Sequence, residues 1–314
     1  MNAPTTEVET AILLMGYGSP GGSEDLSGYL TDVLHGRRPS AAMVEEYRRR
    51  FALIGGSPQN RIIASLRSKL ERHVTRARPG IGVYLGTKHW KPNIAEVLPQ
   101  ISQDGFRRVL AIPLSPYAST WILEPYRAAL EKGRRAAGRP LEIEFRTGWN
   151  LNPHLIDYWS RSIQRELAQT TDPAQCVFLS AHSLPKRYHD RGDPYADLLA
   201  VTSGAIAKAA RLDRWTFTYQ SAGNTTEAWL GPDITELMVK WKGQGASTQI
   251  VASFGFIFDH LEVLYDLDIV VKQFANEHGI AYRRVPMPND GDEMVEALAD
   301  VALRSDGASR FSTS

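Results

Sequence analysis

An imidazole and two carboxylates, suitably placed, can hold a divalent metal and move a proton, and this sequence carries such groups at the ends of two apolar runs. The run VASFGFIFDHLEVLYDLD, Val251 to Asp268, begins with strand character and passes through Asp259 and His260. It continues into a helical pattern that sets Glu262 and Asp266 four residues apart on one face. The run CVFLSAHSLP, residues 176 to 185, reaches His182 shortly before a proline. An imidazole with its ordinary pKa of about 6.5 accepts a proton or binds a borderline metal near neutral pH. A carboxylate binds a hydrated cation, eases the loss of its water, and takes a proton more readily if burial raises its pKa. His182 and Glu262 are therefore the candidate catalytic and metal-binding pair, with Asp266 as an outer, weaker metal position one turn along. Asp259 and His260 are expected to fix the strand-to-helix corner by hydrogen bonds. The plainer reading of His182 is a core histidine bonded to backbone.

Elements of two kinds must position these groups. Short β-rich runs recur at residues 11–17, 81–86, 108–114, 141–147, 176–181, 215–220, 248–256 and 280–285. Helical patterns such as IIASLRSKLERHV, NIAEVLPQI and YADLLAVTSGAIAKAARL lie between them, an alternation that predicts βαβ units and parallel sheets. Writing ILLMGYGSP above VFLSAHSLP aligns Leu14 with Leu179, Tyr17 with His182 and Pro20 with Pro185 at one constant offset. The chain thus reads as a diverged repeat. The fold class is α/β, two similar Rossmann-like half-domains, each a four-stranded parallel sheet flanked by helices. Half-domain I spans residues 10–148 and half-domain II residues 149–288, with a last helix at 291–304 packing back on the first half; residues 1–9 and 305–314 read as disordered ends. Tyr17 and His182 then occupy equivalent places at strand mouths, where open parallel sheets bind ligands, on either side of a cleft.

Composition narrows the function further. The 314 residues are 43% hydrophobic and 23% charged, with a formal net charge of +1, which removes any general electrostatic case for nucleic acid. The lone cysteine, Cys176, lies in an apolar run and rules out a disulfide framework or a cysteine-held iron–sulfur cluster within one chain. No apolar run approaches the roughly 18 to 20 residues that span a bilayer, and MNAPTTEVET lacks the regions of a signal peptide, so a cytoplasmic protein without membrane contact is expected. Gly16, Gly18 and Gly21 satisfy G-x-G-x-x-G after a strand, the dinucleotide fingerprint. Pro20 within the turn and a second strand about sixty residues on argue against a nucleotide unit of the usual ~30 residues. The glycines are expected instead to let the backbone turn sharply toward a flat ligand.

SAHSLP (Ser180 to Pro185), GDPY (Gly192 to Tyr195), WLGPD (Trp229 to Asp233) and FxxDHLEVLYDxD (Phe256 to Asp268), with YGSP near the start and IGGSP at Ile54 to Pro58, together resemble the ferrochelatases. The order and spacing hold from about residue 11 to 303, and the chain is most similar to the short soluble coproporphyrin branch. The resemblance implies a chelatase-like fold and insertion of Fe(2+), a substrate and not a tightly bound cofactor, into coproporphyrin III during heme biosynthesis. Protoporphyrin IX as substrate, another metal and tetrapyrrole, and a non-enzymatic porphyrin carrier remain alternatives. The resemblance further implies a monomer, with transient contacts to neighbouring heme-pathway enzymes. Tyr17 would face the ring as an axial ligand, and Arg37, Arg50, Phe51, Ser57 and Tyr126 would bind the porphyrin, guanidinium forks suiting its propionates. Trp90, Tyr117 and Trp121 are candidate flat walls, whereas His35, His73, His154, His189 and His278 read as surface. The pattern departs from the family at Leu34, often arginine; at IGGSPQN, one residue shorter than usual; and at Val270, where relatives often extend the carboxylate row.

Overall fold

The computed structural model describes residues 10–223 and 225–304. The two expected disordered ends, 1–9 and 305–314, lie outside the described residues. Among the described residues eight strands form: β1 (Thr10–Gly16), β2 (Gly82–Thr87), β3 (Arg108–Pro113), β4 (Glu142–Phe145), β5 (Cys176–His182), β6 (Trp215–Gln220), β7 (Thr248–Ala252) and β8 (Ala281–Arg284). They make two four-stranded parallel sheets of matching order, β2-β1-β3-β4 and β6-β5-β7-β8. β1 and β5 therefore hold the same interior place, as the aligned YGSP and HSLP segments predict.

The strand expected over 248–256 stops at Ala252. Beyond it the chain crosses the end of β5, where Gly255 donates its N–H to the Ser180 carbonyl at 3.2 Å. A Cβ on Gly255 would stand 2.6 Å from the Ala181 Cβ, so the crossing admits only glycine.

Alternation along β1 divides the apolar core. Ala11, Leu13 and Met15 pack in a layer with Leu98, Leu123, Leu130 and Phe145. Ile12 and Leu14 join a larger buried cluster that continues through Tyr117 and Trp159 into Phe178, Val251 and Leu298, so the halves share one core. The helix Asp292–Leu303 packs on the helix Gln59–Ala77 of the first half and equally on the helix Pro153–Leu167 of the second. Its last turn is held by Arg146, which donates to the Val301 and Ala302 carbonyls at 2.6 and 3.1 Å.

The GDPY motif ties the halves beneath the cleft. Asp193 accepts from Ser119 Oγ and the Trp121 N–H at the start of the helix Thr120–Ala136, and from the Tyr195 N–H at the start of the helix Tyr195–Ala209, each at 3.0 Å. One carboxylate thus serves orphan donors of two helix N-termini. Tyr117 adds a bond of 3.1 Å to the Phe254 carbonyl across the same junction.

Candidate active site

His182 is the last residue of β5, and its Nδ1 faces the carbonyl of Ser183. A carbonyl only accepts, so Nδ1 carries the proton and the Nε2 atom of the neutral ring is free to take a proton or a metal. The rest of SAHSLP locks that ring in place: Ser180 Oγ donates to Gln220, and Ser183 Oγ donates to the Leu230 carbonyl of WLGPD.

His182 Nε2 points at Glu262 Oε1, 3.6 Å away, and His260 Nε2 lies 3.7 Å from Oε2 of the same carboxylate. Glu262 begins a π-helix, Glu262–Val271, where a regular helix was expected. Its side chain is 48% exposed, within reach of a substrate, against 23% for His182. Burial disfavours the charge of Glu262, but the two imidazoles outweigh it and hold the carboxyl down at about 2. Burial thus acts on Glu262 in the direction that would favour taking a proton, but it does not set the balance. Burial also opposes charge on His182, and the Glu262 carboxylate overcomes it, so the imidazole pKa lies above its ordinary value. At His260 burial prevails and the pKa falls.

Asp266 follows on the same π-helix but is bonded by Ser221 Oγ. Burial and the Glu262 charge raise its pKa, so the carboxyl that moves toward neutrality is Asp266. Among the described residues, no group of three or more His, Cys, Asp or Glu side chains stands ready as a metal cage. His182 and Glu262 meet, and Asp266 is close enough for the charges of both to act on it. The row ends at the exposed Val270.

Asp259 does fix the corner: its N–H donates to Asn289 Oδ1 and its Oδ2 accepts from Asn289 Nδ2, both at 2.8 Å, while Arg284 pairs with it at 3.1 Å. His260 does more than that. Packed on Phe256 at 4.4 Å with Nδ1 buried and without a partner, it turns its other nitrogen to Glu262.

From the first half, Tyr17 enters directly after β1, 40% exposed. Burial, then the Glu262 charge, pushes its phenol pKa up, which keeps it neutral. Its ring rests on His89 at 4.6 Å, and His89 Nδ1 is bonded to Asp32 at 2.6 Å. Burial drives the His89 pKa down to about 4. The glycine turn packs against this loop: Gly18 has φ +98°, and a Cβ there would lie 2.9 Å from Trp90. A short 3₁₀ turn, Ser23–Asp25, follows the third glycine, and a regular helix starts only at Leu26, so the dinucleotide fingerprint lacks its helix.

The porphyrin-binding candidates divide. The helix Ala41–Leu53, which has no buried residue, carries Arg50 and the half-buried Phe51. Arg50 is already engaged, by Glu46 at 2.7 Å and by the face of Tyr265 at 4.9 Å, while Arg49 donates to the Tyr265 hydroxyl at 2.7 Å. Tyr265 belongs to the π-helix, so these contacts cross from one half to the other. Arg37 is exposed and donates to the Leu34 carbonyl at 3.3 Å. Ser57 accepts weakly from the Gln59 N–H at 3.4 Å. Tyr126 is buried near Lys88, whose ammonium stands 5.9 Å from its ring and 5.1 Å from that of Tyr17. Burial lowers the Lys88 pKa to about 8.

Of the three proposed walls, Tyr117 is fully buried core, Trp90 meets Tyr29 edge-on at 6.2 Å, and Trp121 stacks on Tyr188 at 4.0 Å. Of the five surface histidines, four are exposed and His154 is half-exposed beside Glu296 at 3.0 Å. The sequence marks Arg48, Arg49 and Arg50 as a basic cluster and Lys88, His89 and Trp90 in GTKHWKP, at the end of β2, but not the contacts they make: Arg49 with Tyr265, Ser221 with Asp266 and Asp32 with His89 pair residues far apart in the chain.

The ferrochelatase family model matches residues 9–306. A Geobacillus protein named coproporphyrin III ferrochelatase is 36% identical over 300 residues, covering 93% of this chain and 96% of its own. One from Anoxybacillus flavithermus with the same name is 37% identical, covering 93% and 95%. A Thermus thermophilus protein named ferrochelatase is 33% identical, covering 92% and 97%. In fold, Bacillus subtilis SirB, solved with Fe3+, superposes with a TM-score of 0.60 at 11% identity, covering 94% of each chain. Among the described residues no helix is long and apolar enough to cross a membrane. With the family model matching nearly end to end and relatives of this name above 30% identity, the chain belongs to the ferrochelatase family.

Proposed function

We propose that this protein inserts Fe(2+) into coproporphyrin III, releasing the two pyrrole protons. The observation that carries the reading is the pair of His182 Nε2 and Glu262 Oε1, 3.6 Å apart, at the mouth of the second sheet. Tyr17 stands at the matching place of the first. A flat macrocycle held between these walls exposes its pyrrole nitrogens to one side chain that accepts a proton and to another that attracts the cation. When metal approaches Glu262, its positive charge opposes the proton on His182. The imidazole then loses that proton and Nε2 becomes free for a pyrrole proton. Asp266, more easily neutralised, supplies a second proton acceptor on the way to solvent.

The names of the relatives favour four carboxylates over two on the ring, and so does the polar helix Ala41–Leu53 beside the cleft. Iron is consumed as substrate, and the reading includes no tightly bound cofactor and no iron–sulfur cluster. Both walls come from one chain, which supports a monomer; the reading also takes it to work in the cytoplasm, with transient contact to neighbouring heme-pathway enzymes.

The test is an anaerobic rate comparison with Fe(2+), following absorbance of the metalated ring. Wild-type protein is expected to turn over coproporphyrin III faster than protoporphyrin IX, and His182→Ala to lose about 10²-fold or more with either ring. Preference for protoporphyrin IX would reverse the substrate assignment, and an undiminished rate in His182→Ala would overturn the catalytic one.

A further inference from the structure

Several cations of the described residues already have anionic partners. Arg49 and Arg50 share Glu46, Arg187 pairs with Glu227, Lys186 with Asp190, and Arg284 with Asp259 and Asp268. Lys88 differs. Among the described residues its ammonium has no ion pair and donates no hydrogen bond; it faces only the rings of Tyr17 and Tyr126. Asp32, the carboxylate whose charge reaches it, is bonded to His89.

The position of Lys88 is rigid. Its N–H donates to the Gly16 carbonyl at 2.9 Å and the next N–H, of His89, to the Tyr17 carbonyl at 2.8 Å, which fixes the residue beside the end of β1. The Lys88 side chain is half-buried. A half-buried ammonium flanked by aromatic faces has lost water without gaining an anion, an arrangement that favours a carboxylate arriving with a ligand.

We propose that Lys88 is a specificity-determining residue that binds a rim carboxylate of the porphyrin, an anchor separate from the arginines of the helix Ala41–Leu53. The inference rests on the chelatase reading and adds to it the anchor on the first-half wall. A ring lying over Tyr17 then presents one carboxylate to the ammonium, and this contact orients the ring against His182. Because the contact is made in the bound state as much as during reaction, it acts on KM and Kd more than on kcat.

The experiment is fluorescence titration of metal-free coproporphyrin III into wild type, Lys88→Met and Lys88→Arg, with iron-insertion kinetics on the same proteins. Lys88→Met is expected to weaken Kd and raise KM about tenfold, the scale of a hydrogen bond to a charged group, with kcat within about twofold. Lys88→Arg is expected to restore most of the affinity. Unchanged Kd and KM in Lys88→Met, or a loss confined to kcat, overturns the anchor while leaving the chelatase reading intact. Wild-type protein that binds no porphyrin overturns both.

Discussion

At the level of single residues the site is governed by which charge dominates Glu262. Two imidazoles converge on it, and only one of them, His182, has its second nitrogen committed to a backbone carbonyl. Burial lowers both histidines, but Glu262 lifts His182 above its ordinary value while His260 stays below. Removing the carboxylate should therefore return His182 to the influence of burial, although Ser183 and Asp266 still favour its charged form. In an NMR titration of the His182 ring, wild type is expected to lose its proton with a midpoint above about 6.5. Glu262→Gln should shift that midpoint downward. A midpoint that does not move would show that Glu262 is not what holds the proton there.

At the level of elements, the π-helix matters because it carries both carboxylates and the contact to the opposite wall. Tyr265, 8% exposed, receives the Arg49 hydrogen bond and lies under Arg50, so the exposed helix Ala41–Leu53 is tied to the second half through one ring. Tyr265→Phe keeps the ring and removes the hydrogen bond, with an expected cost within about 1 kcal/mol in urea unfolding. Tyr265→Ala leaves a cavity and removes the platform under Arg50, and should cost about 3 kcal/mol. Equal losses for the two variants would mean that the hydroxyl, and not the ring, makes the connection.

At the level of the whole molecule, the cleft depends on the two sheets keeping their relative position. The shared apolar core and the helix Asp292–Leu303 provide most of that constraint, and Asp193 adds a polar joint at the base. Asp193→Ala removes the acceptor of two helix-start N–H groups and of Ser119 at a site only 9% exposed. The expected loss is about 2–4 kcal/mol in a single cooperative urea transition. Two separate transitions would show that the halves unfold independently once this joint is cut.

Much of this was legible in the order of residues. Short β-rich runs divided by helical patterns mark the eight strands, and the constant offset between YGSP and HSLP marks the repeat that the two matching sheets display. His182, Glu262 and Tyr17 could be singled out because strand ends in parallel sheets are local features of the sequence. What the tertiary structure decided depends on distance across the fold. Whether Glu262 is raised or lowered rests on two imidazoles brought beside it, His182 from another strand and His260 from the turn just before it, and no spacing rule supplies that balance. Arg50 is marked by the resemblance as a porphyrin ligand, but folding sets it between Glu46 and Tyr265; Lys88 stands in GTKHWKP, and folding leaves it without an anion among the described residues. Charge is written in the sequence, whereas compensation of charge depends on neighbours that only the packed chain brings together.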